Sequence, residues 1–181
     1  MKRLHVALLV AASLASPAFA SDAGKIYLGA DFGRAMFTPA SELSNPNSVH
    51  IAGGYYFTPS WAAEVGYTRF GDSTANLASG VVTSSFSSYH AVGLYIYPLN
   101  PDIDFMAKIG LTNNRSTTSA TGSVIVITPS ISKTSVMYGI GAQYHLNQTM
   151  DIRAQYEIYG DLADNSTTTL ANTSLGIVYK F

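Results

Sequence analysis

Apolar and polar residues alternate along most of this chain with a period of two, the pattern of strands that show two different faces. In the first such run, Lys25 to Met36, the residues Ile26, Leu28, Ala30 and Phe32 share one face, and Tyr27, Gly29, Asp31 and Gly33 share the other. Further runs fall at about 49–57, 61–70, 84–99 and 103–112, then up to 146, and at 150–159. A last run closes the chain, with Leu175, Ile177, Tyr179 and Phe181 on one face and Gly176, Val178 and Lys180 on the other. Eight strands are predicted. Three connections are tight, at Thr58-Pro59-Ser60, Asn100-Pro101-Asp102 and Asn147-Gln148-Thr149. The other four are polar and longer, with 71–84 and 113–131 read as irregular. Short and long connections alternate strictly, which places every tight turn at one end of an up-and-down array.

Aligning the three tight turns on Thr58, Asn100 and Asn147 exposes a weak repeat. Tyr55, Tyr97 and Tyr144 stand three residues before these positions. Val65, Ala107 and Ala154 stand seven residues after them, on the same apolar face. Glu64, Lys108, Arg153 and Gln155 fall on the opposite parity. Glycine decides which face points inward. Gly29, Gly33, Gly54, Gly66, Gly110, Gly139, Gly141 and Gly176 lie on the polar face, against Gly53 and Gly93 on the apolar one. The interior of an eight-stranded barrel has room only for packed side chains, so small residues must alternate there with long ones. On an outer surface the same glycines would only weaken the strands. A polar inside and an apolar outside mean that lipid wets the barrel, and short turns at one end with long loops at the other are the layout of outer-membrane barrels. The fold class is therefore all-β: an eight-stranded antiparallel up-and-down transmembrane β-barrel. Tyr55, Tyr97, Tyr144 and Tyr179, with Phe57 and Phe181, would form an aromatic girdle at the periplasmic interface. Strand four strains this scheme, because its parity puts Val92, Leu94 and Ile96 inside. Either an apolar patch lines the lumen or a β-bulge shifts the register.

Composition agrees with a membrane barrel. Charged residues make up 12% of the chain, against about 25% in soluble proteins. The start Met1-Lys2-Arg3, an apolar run from Val6 to about Ala15 and the sequence Ala18-Phe19-Ala20 predict a secretory signal peptide over residues 1–20, followed by a barrel domain over 21–181. Removing Lys2 and Arg3 from ten basic residues leaves eight against eleven acidic ones, a net charge of −3 with no basic patch for nucleic acid. Cysteine is absent, which excludes thiol nucleophiles, Cys-bound zinc and disulfide scaffolds.

Gly54-Tyr55-Tyr56-Phe57-Thr58-Pro59 with Glu64-Val65-Gly66-Tyr67, Tyr97-Pro98-Leu99 through Lys108-Ile109-Gly110, and Gln143-Tyr144 with Arg153-Ala154-Gln155-Tyr156 carry a resemblance. Over Lys25 to Phe181 the chain resembles the transmembrane domain of the OmpA family. Longer members add a periplasmic peptidoglycan-binding domain, an activity not carried over to a chain that stops at the barrel. In that family a buried charge network blocks the lumen. The resemblance assigns Glu64, Arg153 and Lys108 to it, with Gln143 at an acidic position and Leu94 at a lysine position, departures that imply a thinner network. Gln155 is counted with the lumen group. The terminal Leu175, Ile177, Tyr179 and Phe181 resemble the signal read by the outer-membrane barrel assembly machinery.

Other chemistry is not expected. His50, His90 and His145 fall on inward parity but on different strands, with His145 near a tight turn and the other two higher, so no metal site or cofactor is predicted. Barrel enzymes need a Ser–His or Asp–His pair on the loops or lipid face, and the loops contain no histidine. The expected partners are outer-membrane lipid, lipopolysaccharide, the assembly machinery and an unidentified ligand of the outer loops. Two functions fit: a structural or surface-interaction protein of the Gram-negative outer membrane with a plugged lumen, or a low-conductance channel for small solutes, apolar ones if strand four lines the lumen.

Overall fold

A computed structural model describes residues 22–38, 45–77, 80–122, 131–161 and 169–181. Eight strands follow in order: β1 (Ile26–Thr38), β2 (Asn47–Thr58), β3 (Trp61–Leu77), β4 (Gly80–Asn100), β5 (Ile103–Gly122), β6 (Ile131–His145), β7 (Met150–Asp161) and β8 (Thr169–Lys180). Each pairs antiparallel with its neighbours in sequence, and β1 closes on β8 from Tyr27↔Lys180 to Thr38↔Thr169. No edge strand is left open. Following register partners once round the wall from Ile26, through Tyr55, Ala63, Gly93, Ile109, Tyr138, Ile158 and Ala171, returns to Met36. The stagger is therefore 36 − 26 = 10 residues, and it tilts the strands as a small barrel requires.

The tight turns share a local cause. Asn100 Oδ1 accepts hydrogen bonds from the backbone N–H groups of Asp102 and Ile103, each at 2.9 Å. Asn147 Oδ1 accepts from those of Thr149 and Met150, again at 2.9 Å. Thr58 Oγ1 accepts from the N–H of Ser60 at 3.2 Å. These short side chains cap the turn with their own oxygen, which explains why the repeat aligns on them.

The opposite end differs from the sequence reading. Within the stretches read as irregular at 71–84 and 113–131 the described residues are paired strand: β3 continues to Leu77, β4 begins at Gly80, and β5 continues to Gly122, while 78–79 and 123–130 lie outside the described residues. Their Ser, Thr and Ala residues carry no apolar alternation in the sequence, and the antiparallel backbone pairing makes them strand. Strand four resolves cleanly as well. The β3–β4 register runs unbroken from Trp61↔Tyr95 to Phe70↔Phe86, with no bulge at the disputed residues. Val92, Leu94 and Ile96 therefore point inward and are buried, beside Ala62 and Met106. An apolar patch lines that part of the lumen.

The two faces are chemically inverted relative to a soluble protein. Val65, Ile109, Ile140 and Leu175 are each at least 60% exposed, while Arg153, Glu64, Glu157 and Lys108 are at most 3% exposed. A wall that exposes its aliphatic residues and buries its charges needs an apolar solvent. Val65 lies midway between Trp61 and Arg69 on β3 and should sit near the bilayer centre. V65R is expected to cost about 2–4 kcal/mol in urea unfolding from lipid vesicles; a neutral substitution would contradict a lipid-facing wall.

Candidate functional site: the charged lumen

Arg153 on β7 stands opposite Gly176 of β8, and its guanidinium crosses the lumen over β1. A Cβ at Gly29 would lie 2.7 Å from Arg153 Nη2, so only glycine leaves the passage free. Arg153 Nη1 donates to Glu64 Oε2 at 2.6 Å, and Nη2 donates to Asp31 Oδ2 at 3.1 Å. Tyr27 donates its hydroxyl proton to the same Glu64 oxygen at 2.9 Å. From β5, Lys108 Nζ donates to Glu64 Oε1 at 2.7 Å, Gln155 Oε1 at 2.8 Å and Glu157 Oε1 at 3.0 Å. Tyr159 donates to Glu157 Oε2 at 2.9 Å and meets Thr68 Oγ1 at 2.8 Å. His50 Nδ1 lies 2.7 Å from Asp31 Oδ2, and His50 Nε2 lies 3.3 Å from His90 Nε2. Three carboxylates and two permanent cations thus share one closed group. Each ion inside it has partners, as burial at this depth requires.

A second cluster occupies the tight-turn mouth. Asp151 is contacted by Lys180 Nζ at 3.0 Å, His145 Nδ1 at 2.7 Å and Gln143 Nε2 at 2.5 Å. His145 Nε2 reaches Asp104 at 3.1 Å. Asp22 accepts from Lys25 and Lys180, each at 2.8 Å. Burial would raise the Asp22 pKa, but the Lys180 and Lys25 ammonium groups outweigh it and hold the carboxyl below its usual 3.8. Asp22, Lys25, Asp104, His145 and Lys180 border a cavity of about 560 Å³, lined on its apolar side by Pro59, Ile96, Pro98 and Leu146.

The residues singled out in the sequence are distributed as follows. Glu64, Lys108, Arg153 and Gln155 meet in the central group. Gln143 is buried in the lumen beside Arg153 in register, but it bonds to Asp151 and to the Tyr56 hydroxyl at 3.4 Å, and so belongs to the mouth cluster. Tyr55, Tyr97, Tyr144, Tyr179 and Phe57 face outward with exposures of 40–60%. Leu175, Ile177, Tyr179 and Phe181 do the same along the end of β8. The rings of Tyr55 and Phe57 pack at 5.1 Å, and those of Tyr179 and Phe181 at 4.9 Å. Asp31, Glu157, Tyr27 and Tyr159 were not singled out. Parity alone places them inward, but their depth depends on the ten-residue stagger, which needs the paired register.

A family model for the outer membrane protein beta-barrel domain matches residues 6–181. The chain belongs to that family. Solved structures with the same fold include Ail, the attachment invasion locus protein of Yersinia pestis. It is 18% identical, with a TM-score of 0.61, over 88% of this chain and 99% of that one. Neisserial surface protein A is 19% identical, with a TM-score of 0.64, over 90% and 99%. OprG from Pseudomonas aeruginosa is 11% identical, with a TM-score of 0.60, over 88% and 96%. At these identities the likeness is one of fold. No curated protein sequence matches the chain. Gln143 and Leu94 carry no charge into the lumen, and Asp31 and Glu157 add carboxylates to the group around Glu64. Leu94 is the register partner of Lys108, so a lysine there would set two ammonium groups side by side.

Arg153→Met takes from Glu64 and Asp31 the one cation they share and should cost about 3–5 kcal/mol. Combining it with Glu64→Leu should cost clearly less than the sum of the two single changes in a double-mutant cycle; strict additivity would refute the coupling. At the mouth, Asp22 contributes stability above pH 3.8 that is lost as pH falls through its lower folded value. An Asp22→Asn variant should therefore be less stable than the parent near neutral pH and converge with it in acid titrations of unfolding.

Proposed function

We propose that this protein is a structural or surface-interaction barrel of the outer membrane, with its lumen plugged by the ion-paired group around Glu64, Lys108 and Arg153. The observation that carries this reading is the depth of that group: its side chains are almost wholly buried and bonded across the barrel from β1, β3, β5 and β7. Opening a path would require breaking several charge-assisted bonds at once, each among the stronger kinds in proteins. Binding then belongs to the far hairpins, since loops on a rigid scaffold are where recognition residues sit. Ail, which shares the fold, has been crystallised in complex with the heparin analogue sucrose octasulfate; a polyanion is thus one ligand class to test on the outer end of this chain. In the same reading, residues 1–20 direct export, outer-membrane lipid and lipopolysaccharide surround the wall, the outward tyrosines anchor it at the interface, and Leu175 to Phe181 engage the assembly machinery.

A second reading, a low-conductance channel for small solutes with apolar ones among them, is favoured by the lumen patch of Val92, Leu94 and Ile96 beside the mouth cavity. Planar-bilayer recording on the refolded protein separates the two. The plugged barrel should give no discrete steps above the lipid background, whereas resolved steps abolished by enlarging Val92 would establish the solute path.

A further inference from the structure

The central group contains one more carboxylate than permanent cation: Asp31, Glu64 and Glu157 against Lys108 and Arg153. An uncompensated buried charge is costly, so a further positive charge belongs here. The place for it is where two imidazoles meet. His50 of β2 and His90 of β4 turn their Nε2 atoms towards each other across β3, 3.3 Å apart. What lets them meet is Gly66, on the strand between them: a Cβ there would lie 2.5 Å from His90 Nε2 and 2.9 Å from His50 Nε2. Ionised Asp31 can only accept, so the 2.7 Å contact places a proton on His50 Nδ1, and in the neutral ring the Nε2 lone pair is then turned towards His90 Nε2. His90 Nδ1 is buried with no partner among the described residues.

We propose that His50 Nε2, His90 Nε2 and Glu64 bind a divalent transition-metal ion of the zinc type inside the barrel. The ligand atoms these three residues offer lie within 4.8 Å of one another. Two nitrogens bound at about 2.0–2.1 Å in a tetrahedral site stand roughly 3.3–3.4 Å apart, which is the spacing found. The Asp31 carboxylate behind His50 Nδ1 is the outer partner that metal-bound histidines regularly have, fixing both tautomer and ring orientation. Glu64 Oε1 carries only the Lys108 ammonium and keeps a lone pair for the ion. The soft-borderline set of two imidazoles and one carboxylate suits zinc, cobalt, nickel or copper rather than calcium or magnesium. The proposal is independent of whether the barrel plugs or conducts.

The test is to refold the full chain in detergent with Zn²⁺, dialyse it and measure metal per chain, then repeat with Co²⁺ and record its visible spectrum. About one ion per folded chain and a tetrahedral nitrogen-ligated cobalt spectrum are expected. His90→Phe should lower affinity more than 100-fold, and Gly66→Ala, which pushes the rings apart without removing a ligand, more than 10-fold. His145→Phe, at the mouth, should leave both stoichiometry and affinity unchanged. Folding of each variant is read from its heat-modifiable gel mobility. If a substitution prevents folding, the cobalt spectrum of the parent decides. No retained ion in the folded parent would overturn the proposal, as would an octahedral oxygen-type spectrum or a loss caused by His145→Phe.

Discussion

Hydrocarbon offers no partner to a peptide group, so every main-chain N–H and C=O that crosses the bilayer must be paired within the protein. For strands this means closure, and the β1–β8 ladder meets the requirement. Eight strands with a ten-residue stagger then set the bore of the tube. That bore is too narrow for water to solvate a full complement of polar side chains. Tyr27 folds over Gly54, Arg153 passes Gly29, and the charges have no recourse but one another.

Much of this architecture was legible in the sequence, because lipid imposes a strict period of two and the tight turns carry side chains that cap themselves. Asn100 and Asn147 mark the turns for the same physical reason that they form them. What the period cannot carry is depth. Glu64 and Arg153 stand at equal offsets from their own turns, and they bond at 2.6 Å in the lumen. Asp31 and Glu157 reach the same level only through the tilt of β1 and β7, which is a property of the paired wall. His50 and His90 show the same limit. Their strands are not neighbours, and the glycine that joins them lies on a third. The hairpin arms of β3, β4 and β5 escape the period for a different reason: they are held by backbone pairing, which Ser, Thr and Ala permit without any apolar alternation.

The lumen is also divided by chemistry. Its middle is ionic, its tight-turn mouth is a second ionic cluster around Asp151, and the β4 residues Val92, Leu94 and Ile96 form an apolar wall along one side. Such a wall favours packing over hydration, and it lets the ionic groups bond in surroundings where each hydrogen bond is electrostatically stronger. Leu94, facing Lys108 across the ladder, is part of this arrangement.

The paired length of β4 and β5, from Asn100 and Ile103 out to Gly80 and Gly122, has a consequence of its own. About 9–11 tilted residues suffice to traverse the membrane, so roughly half of this ribbon stands clear of it, about 30–35 Å of strand at the usual rise per residue. The ladder thus continues past the length that hydrocarbon demands. Its order comes from the main-chain ladder, which any sequence of strand-compatible residues can form, so the outer arm and the anchored tube below answer to different constraints.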